Sequence, residues 1–278
     1  MATFRDFEHG RWQEAVETYA GCWAGLTRQT VPPLLAALQV IPKTRLLDVS
    51  CGTGHVAAAA ASEGASVVGV DFSSQMLSRA RSLHPTLDFR LGDAEDLDFP
   101  DGSFDAVAIN FGMLHFQHPE RALAQAYRVL RPGGRAAYTV WAPPDQSRAF
   151  EVVYGSIREY GTLEVPLPPG PPFFRFGDPE ESRRILLETG FREPRIESLP
   201  LVWRLPSAED LLRAFEEGTA RTGPTLLAQR SEDLVRIRNA ILERASAYEV
   251  DGYLEVPMVA VLCRGRKESG PLPEVRVS

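Results

Sequence analysis

The sequence predicts an α/β fold: a doubly wound, mostly parallel sheet of seven strands, with helices at the N-terminus and a helical insertion before the last strand. Three observations lead there. Apolar runs of strand length alternate with helical stretches of about ten residues, the pattern left by parallel strands and crossover helices. One strand runs into Ser50-Cys51-Gly52-Thr53-Gly54 and then into a helix, the kind of turn at which such sheets bind ligands. Finally, 278 residues with 44% hydrophobic and 24% charged side chains can bury a sizeable core without disulfides or a structural metal.

Taken in order, residues 11–39 read as two helices broken at Pro32-Pro33. Trp12, Val16, Tyr19, Trp23 and Leu26 line one helical face. Such a stripe ordinarily packs into a core. Residues 1–40 also suit a lid, to which Tyr19 and Trp23 would contribute. Strand 45–49 leads through the glycine loop to helix 55–62, which ends at Gly64 as a C-terminal glycine should. Strand 66–70, helix 73–83, strand 87–91 and strand 104–110 follow. Helix 119–130 opens on Pro119, and Pro132-Gly133-Gly134 turns the chain into strand 135–141. Residues 41–141 thus form the ligand-binding core.

Residues 142–264 read as the rest of the same domain. Helix 147–160 precedes the proline-rich stretch 166–172, which suits neither helix nor sheet. Asp178 caps a helix with Pro179 at its first position, ending at Gly190. Strands 194–204 and 253–263 flank a helical insertion over 206–248, capped by Ser207 and again by Ser231. Residues 265–278 read as a frayed, flexible tail.

Charge and cysteine content exclude several classes. Thirty basic against 37 acidic residues give a net charge of -7, and Arg264-Gly265-Arg266-Lys267 is the only basic run, so nucleic acid is a disfavoured partner. Cys22, Cys51 and Cys263 are far apart and in no metal-ligand spacing, which fits free thiols in a reducing compartment and no bound metal. No window approaches the ~18 apolar residues of a membrane span, and the first residues lack a signal-peptide core. The expectation is a cytoplasmic protein acting on a small molecule, either as a monomer or as a homodimer.

The glycine loop carries the functional signal. Glycines there let the backbone approach a ligand, and the helix start behind them presents unpaired N–H groups. Asp71, 19 positions after Gly52 at the end of the next strand, can accept both hydroxyls of a ribose. Two cofactor classes compete. Gly52-Thr53-Gly54-His55-Val56-Ala57 satisfies the G-x-G-x-x-A fingerprint of an NAD(P)-dependent oxidoreductase. Asp48, four residues before Gly52, points elsewhere. A carboxylate would repel a pyrophosphate but attract an ammonium. The arrangement suits a nucleoside carrying an amino acid.

Leu46-Leu47-Asp48-Val49-Ser50-Cys51-Gly52-Thr53-Gly54 resembles the first motif of class I S-adenosylmethionine-dependent methyltransferases, most similar to the group containing the quinone-biosynthesis enzymes. Four later segments agree in order and spacing: Val67 to Ser73 followed by Met76, Gly92 to Leu97, Ser103 to Val107, and Leu130 to Gly134. The resemblance covers residues 40–141. It implies a Rossmann-like fold and S-adenosylmethionine as cofactor, with S-adenosylhomocysteine as product. It further implies that Asp48 meets the methionine ammonium while the backbone of Ser50, Gly52 and Gly54 closes on the methionine part. Asp71 would hold the ribose, with Phe72 and Met76 against the adenine faces. Asp93 would accept from the adenine amino group, the Ala94 N–H would reach a ring nitrogen, and the Asn110 backbone would border the methionine end. Tyr19 would belong to the lid. One position departs: the family usually has glycine where this chain has Ser50.

Methyl transfer is an in-line displacement, for which alignment can supply ~7–11 kcal/mol and a general base a further ~10²–10⁴-fold. The candidate base is His115, just beyond the fourth strand, where the ligand crevice of such sheets lies. Two readings of it stay open, a base or a loop histidine with a structural hydrogen bond. His118 reads as a helix-start residue and His55 as a residue near the cofactor, while His9 and His84 carry no signal. Phe173-Phe174-Arg175-Phe176 and the 206–248 insertion would wall the acceptor site, which favours a lipophilic or aromatic acceptor. A non-catalytic S-adenosylmethionine-binding protein is the other alternative, since a fold does not fix its function.

Overall fold

A computed structural model describes residues 3–268 of the chain. Five strands run parallel: β1 (Arg45–Val49), β2 (Ser66–Asp71), β3 (Asp88–Leu91), β4 (Phe104–Asn110) and β5 (Leu130–Trp141). β6 (Arg192–Leu205) and the two-residue β7 (Glu249–Val250) both pair antiparallel with β8 (Tyr253–Arg266), and β8 pairs antiparallel with β5. The order is β3-β2-β1-β4-β5-β8-β6, with β7 beside β8. The seven expected strands are all present. β7 makes an eighth, too short to show as a pattern.

Each inner strand buries both faces, which is why the strands read as unbroken apolar runs. Side chains alternate between two cores. Leu46, Val67, Ala106 and Ala108 face α4 (Val31–Leu38), α5 (His55–Ser62) and α6 (Ser74–Leu83). Leu47, Val70, Val107 and Ile109 face the opposite way. Those residues meet α7 (Pro119–Val129), α8 (Arg148–Tyr160), α9 (Pro179–Thr189) and α10 (Ala208–Gly218). α11 (Thr222–Leu227) and α12 (Ser231–Ser246) complete that side, α12 lying against α8.

The N-terminal segment departs from expectation. Helix α1 (Phe4–Glu14) begins seven residues early because Thr3 and Asp6 form a reciprocal capping box. The chain continues through α2 (Val16–Thr18), a π turn (Tyr19–Trp23), α3 (Ala24–Thr27) and a 3-10 turn (Arg28–Thr30) into α4. Pro32 and Pro33 therefore do not break a helix. They sit in the first turn of α4, where an N–H has no intrahelical acceptor to lose.

Two other expectations need correction. Ser207 caps α10 through its hydroxyl, but the cap of α12 is Arg230, with Ser231 already inside the helix. The fraying expected from 265 is not found at its start. Gly265 and Arg266 still belong to β8, and Lys267 Nζ donates to the carbonyls of Tyr127 and Leu130 at the end of α7, at 2.8 and 2.7 Å. A cation there complements the helix C-terminus. The remainder of that tail, from 269, lies outside the described residues. Among the described residues, no helix is long and apolar enough to cross a membrane, and no cluster of three potential metal ligands occurs.

Candidate active site

The connection reverses between β1 and β4: β2 and β3 lie to one side of β1, β4 and β5 to the other. At such a switch point the loops leaving the strand ends diverge and open a crevice. A cleft with about 1010 Å³ of empty space, its mouth included, occupies that position.

One end is built from loop backbone. Ser50, Gly52 and Gly54 all take positive φ, at 55°, 51° and 84°. At Gly52 a Cβ would meet nothing within 4 Å and would project into open space, and Gly52 lines the cleft. Gly54 has a different reason for being glycine. A Cβ there would come within 2.6 Å of the Phe89 ring, and the residue caps α5 without lining the cleft. Ser50 tolerates the left-handed conformation at a cost of roughly 1–2 kcal/mol.

Two buried carboxylates organise this end. Asp71 accepts hydrogen bonds from Gly52 N and Ser73 N, both at 2.8 Å, which fixes the loop against the end of β2. Burial raises its pKa, and the Ser73 and Gly52 amides oppose the shift. Asp48 accepts from Ala57 N at 3.1 Å through one oxygen. Its other oxygen is buried without a partner. Burial pushes the Asp48 carboxyl up to about 8. An uncompensated buried carboxylate oxygen is expensive, so a cationic group beside it would lower the free energy. Asp48, Thr53 and His55 line a polar side pocket that shares Tyr19, Thr27, Ser50, Gly52 and Asn110 with the main cleft. Burial and nearby Arg28 lower the His55 pKa to about 4.

Beyond Asp71, the half-buried Phe72 and the buried Met76 line the cleft with Gly92, Asp93 and Ala94. Asp93 is already engaged. Its Oδ2 pairs with Arg5 Nη2 at 2.7 Å and its Oδ1 accepts from Glu95 N at 2.9 Å. Asn110 ends β4, its amide oxygen accepting from Thr30 Oγ1 at 2.8 Å and from Thr139 Oγ1. Phe111 follows with φ 56°, rare for an aromatic residue. Its N–H is held by Thr139 O and Oγ1, both at 3.1 Å, and its ring stacks on Trp141 at 4.1 Å. Strain of this kind gathers at functional sites.

The other end is aromatic. Trp12, Trp23, Phe111, Phe116, Trp141, Phe150 and Phe173 line it, with Gly218 at the end of α10 and Thr219 and Ala220 from the loop after it. That stretch is the part of the 206–248 insertion that reaches the cleft. Of the predicted aromatic run only Phe173 lines it. Phe174 packs on Phe150, and Arg175 pairs with Glu120 and Glu181. The N-terminal stripe divides: Val16 and Leu26 are core, whereas Trp12 and Tyr19 cover the cleft. Tyr19 OH lies 3.1 Å from Thr27 Oγ1. Helix α1 is tied down by Gln13, which accepts from Ser73 Oγ at 2.7 Å and Gln75 N at 3.0 Å.

His115 lines the cleft, and its Nδ1 lies 3.0 Å from Glu8 Oε2. Trp12 meets its ring edge-on at 4.9 Å. The sequence gives Glu8 no role when the first helix is taken to start at residue 11, whereas α1 starts at Phe4. The Thr3/Asp6 capping pair was the available signal, since it extends the stripe back one turn, from Trp12 to Glu8. His118 caps α7 as expected.

Known proteins resemble the part of the chain that carries the glycine loop. Residues 47–138 match the family model described as a methyltransferase domain. Demethylmenaquinone methyltransferase of Renibacterium salmoninarum is 40% identical over 130 residues, 47% of this chain and 54% of that one. The Thermus thermophilus protein of the same name is 44% identical over 124 residues, 42% and 56% of the two chains. The chain thus spans about half the length of the curated relatives it matches. Among solved structures, the cyclase SpnF superposes with a TM-score of 0.60 at 20% identity, over 97% of this chain and 98% of that one. The YcgJ protein of Bacillus subtilis gives 0.57 at 20% identity, over 87% and 99%. Those two likenesses are of fold. Over residues 47–138, the chain is thus similar to a methyltransferase domain.

Proposed function

We propose that the protein transfers a methyl group from S-adenosylmethionine to a small, neutral, lipophilic or aromatic acceptor. The observation that carries this reading is one continuous cleft with two chemically distinct ends. At the loop end, the unpartnered oxygen of Asp48 in the adjoining side pocket and the open cradle at Gly52 fit an amino-acid ammonium and its chain. Asp71 retains acceptor capacity for a ribose, because each carboxylate oxygen has two lone pairs and uses one on the loop. Phe72 and Met76 offer apolar faces to a flat base. When bound, S-adenosylmethionine supplies a methyl already activated by the sulfonium.

At the aromatic end the chain's own residues orient the acceptor and exclude water. Seven rings with no lysine or arginine among the lining residues select an uncharged, flat molecule. His115, within that wall, takes the acceptor's proton. Residues 1–40 act as the lid and residues 206–248 as a partial cover. The relatives' name, demethylmenaquinone methyltransferase, agrees with a lipophilic acceptor, although the similarity spans under half of this chain. A labelled-methyl screen over phenols, quinols, amines and isoprenoids tests the reading. Label entering a phenol or quinol is expected; label entering charged amines alone would refute the acceptor class.

A further inference from the structure

Glu8 is fully buried, with an exposure of 0%, on the second turn of α1. A carboxylate taken out of water is destabilising unless compensated, and an apolar residue would serve packing there. The neighbours one turn away, Phe4 and Trp12, are apolar. Among the described residues no arginine or lysine pairs with it: Arg5 pairs with Asp93, and Arg11 with Glu14. Its one polar partner among them is His115 Nδ1 at 3.0 Å, and its second oxygen has none. Glu8 does not line the cleft, whereas His115 does. The imidazole is held by Trp12 edge-on at 4.9 Å and by Phe173 at 6.1 Å.

From this geometry we infer that Glu8 is a positioning residue for His115. A carboxylate only accepts hydrogen bonds, so it holds the imidazole proton on Nδ1 and leaves the Nε2 lone pair free. The inference rests on the reading of His115 as base in methyl transfer. The acceptor's hydroxyl proton passes to Nε2 while its oxygen bonds the methyl carbon. The electron pair of the broken C–S bond stays on sulfur. The imidazolium formed faces the Glu8 carboxylate, so the pair ends neutral, and its proton later leaves to water. The base is thereby completed from outside residues 47–138, by a helix hydrogen-bonded through Gln13 to Ser73, the cap of α6. A methyltransferase domain without α1 would bind cofactor with its base unassembled.

Glu8→Met keeps an unbranched side chain of similar volume. In the full chain it should leave S-adenosylhomocysteine affinity within about twofold, leave or raise Tm, and lower turnover at least about 100-fold. In a His115→Ala background it should cause no further loss. Nitrogen-15 NMR of histidine-labelled protein should show the His115 proton on Nδ1 in wild type and on Nε2 in the variant. The same tautomer in both, or turnover within threefold of wild type, overturns the inference. The tautomer is read without activity. If no acceptor is methylated yet the proton moves, the methyl-transfer reading falls and the positioning role stands. Should Glu8→Met not fold, the wild-type spectrum decides, and an Nε2–H tautomer rejects the role.

Discussion

At one end of the cleft Gly52, Asp71, Gly92 and Asp93 present backbone and carboxylates; at the other Trp23, Phe111, Trp141, Phe150 and Phe173 present rings. The first set comes from a short run of chain between β1 and the loop after β3. The second is gathered from Trp23 in the π turn to Phe173, with more than half of the sequence between its first and last members. Polar recognition here depends on particular turns, left-handed φ values and carboxylates at strand ends. Those impose residue types at fixed spacings. Apolar recognition needs only volume, and any large side chain of the right shape satisfies it. The solved structure of a cyclase on the same fold shows that such a scaffold alone does not name the reaction.

Four experiments act on that division. The largest effect is expected from His115→Ala, which should lower turnover by ~10²–10⁴-fold while calorimetry finds cofactor affinity unchanged. A matching loss of affinity would mean that the two ends are not separable. Asp71→Ala is the mirror experiment. It should weaken S-adenosylhomocysteine binding by ~1.5–3 kcal/mol, the range for hydrogen bonds to a charged group, without altering the acceptor KM at saturating cofactor.

Asp48 sharpens the division through pH. Its carboxyl, raised to about 8 by burial from an ordinary 3.8, keeps a proton in the folded chain that the unfolded chain has lost. The group therefore stabilises the fold at low pH, and the gain disappears as pH rises between roughly 4 and 8, at most ~1.4 kcal/mol per pH unit. Asp48→Asn should flatten that part of the curve in urea melts run from pH 5 to 8. An ammonium placed beside Asp48 would expel the proton. Titration at pH 7 in buffers of different ionisation enthalpy should then show proton release in wild type and none in the variant. The smallest effect is Ser50→Gly. Relief of the left-handed backbone should raise stability by ~1 kcal/mol, or Tm by ~2–3 °C, with cofactor affinity maintained or improved.

The unequal legibility of the sequence follows from the same physics. Strands 45–49 and 104–110 and helix 55–62 were readable to the residue, because burial on both faces and a glycine stop leave little freedom. Asp48 stands out by its place before the glycine loop, Asp71 as a carboxylate at a strand end and Asp93 through the family motif; Asp71 and Asp93 line the cleft and Asp48 the side pocket beside it. Gly54 looked like a ligand contact but is glycine because Phe89 leaves no room for a Cβ. Trp141 and Phe150 gave no sign of lining a cleft, since at their spacings they are indistinguishable from core, and both are in fact buried. Glu8 was hidden differently. A single acid on an amphipathic helix reads as solvated surface, and its burial depends on His115, 107 positions away.

Which cofactor the loop end holds decides between methyl transfer and hydride transfer. Calorimetric titration of the full chain with S-adenosylhomocysteine and, separately, with NADH is the most direct test. The expected result is one S-adenosylhomocysteine site, weakened in Asp71→Ala and retained in His115→Ala, with no heat from NADH. A chain that binds NADH tightly and leaves S-adenosylhomocysteine free in solution would contradict the account.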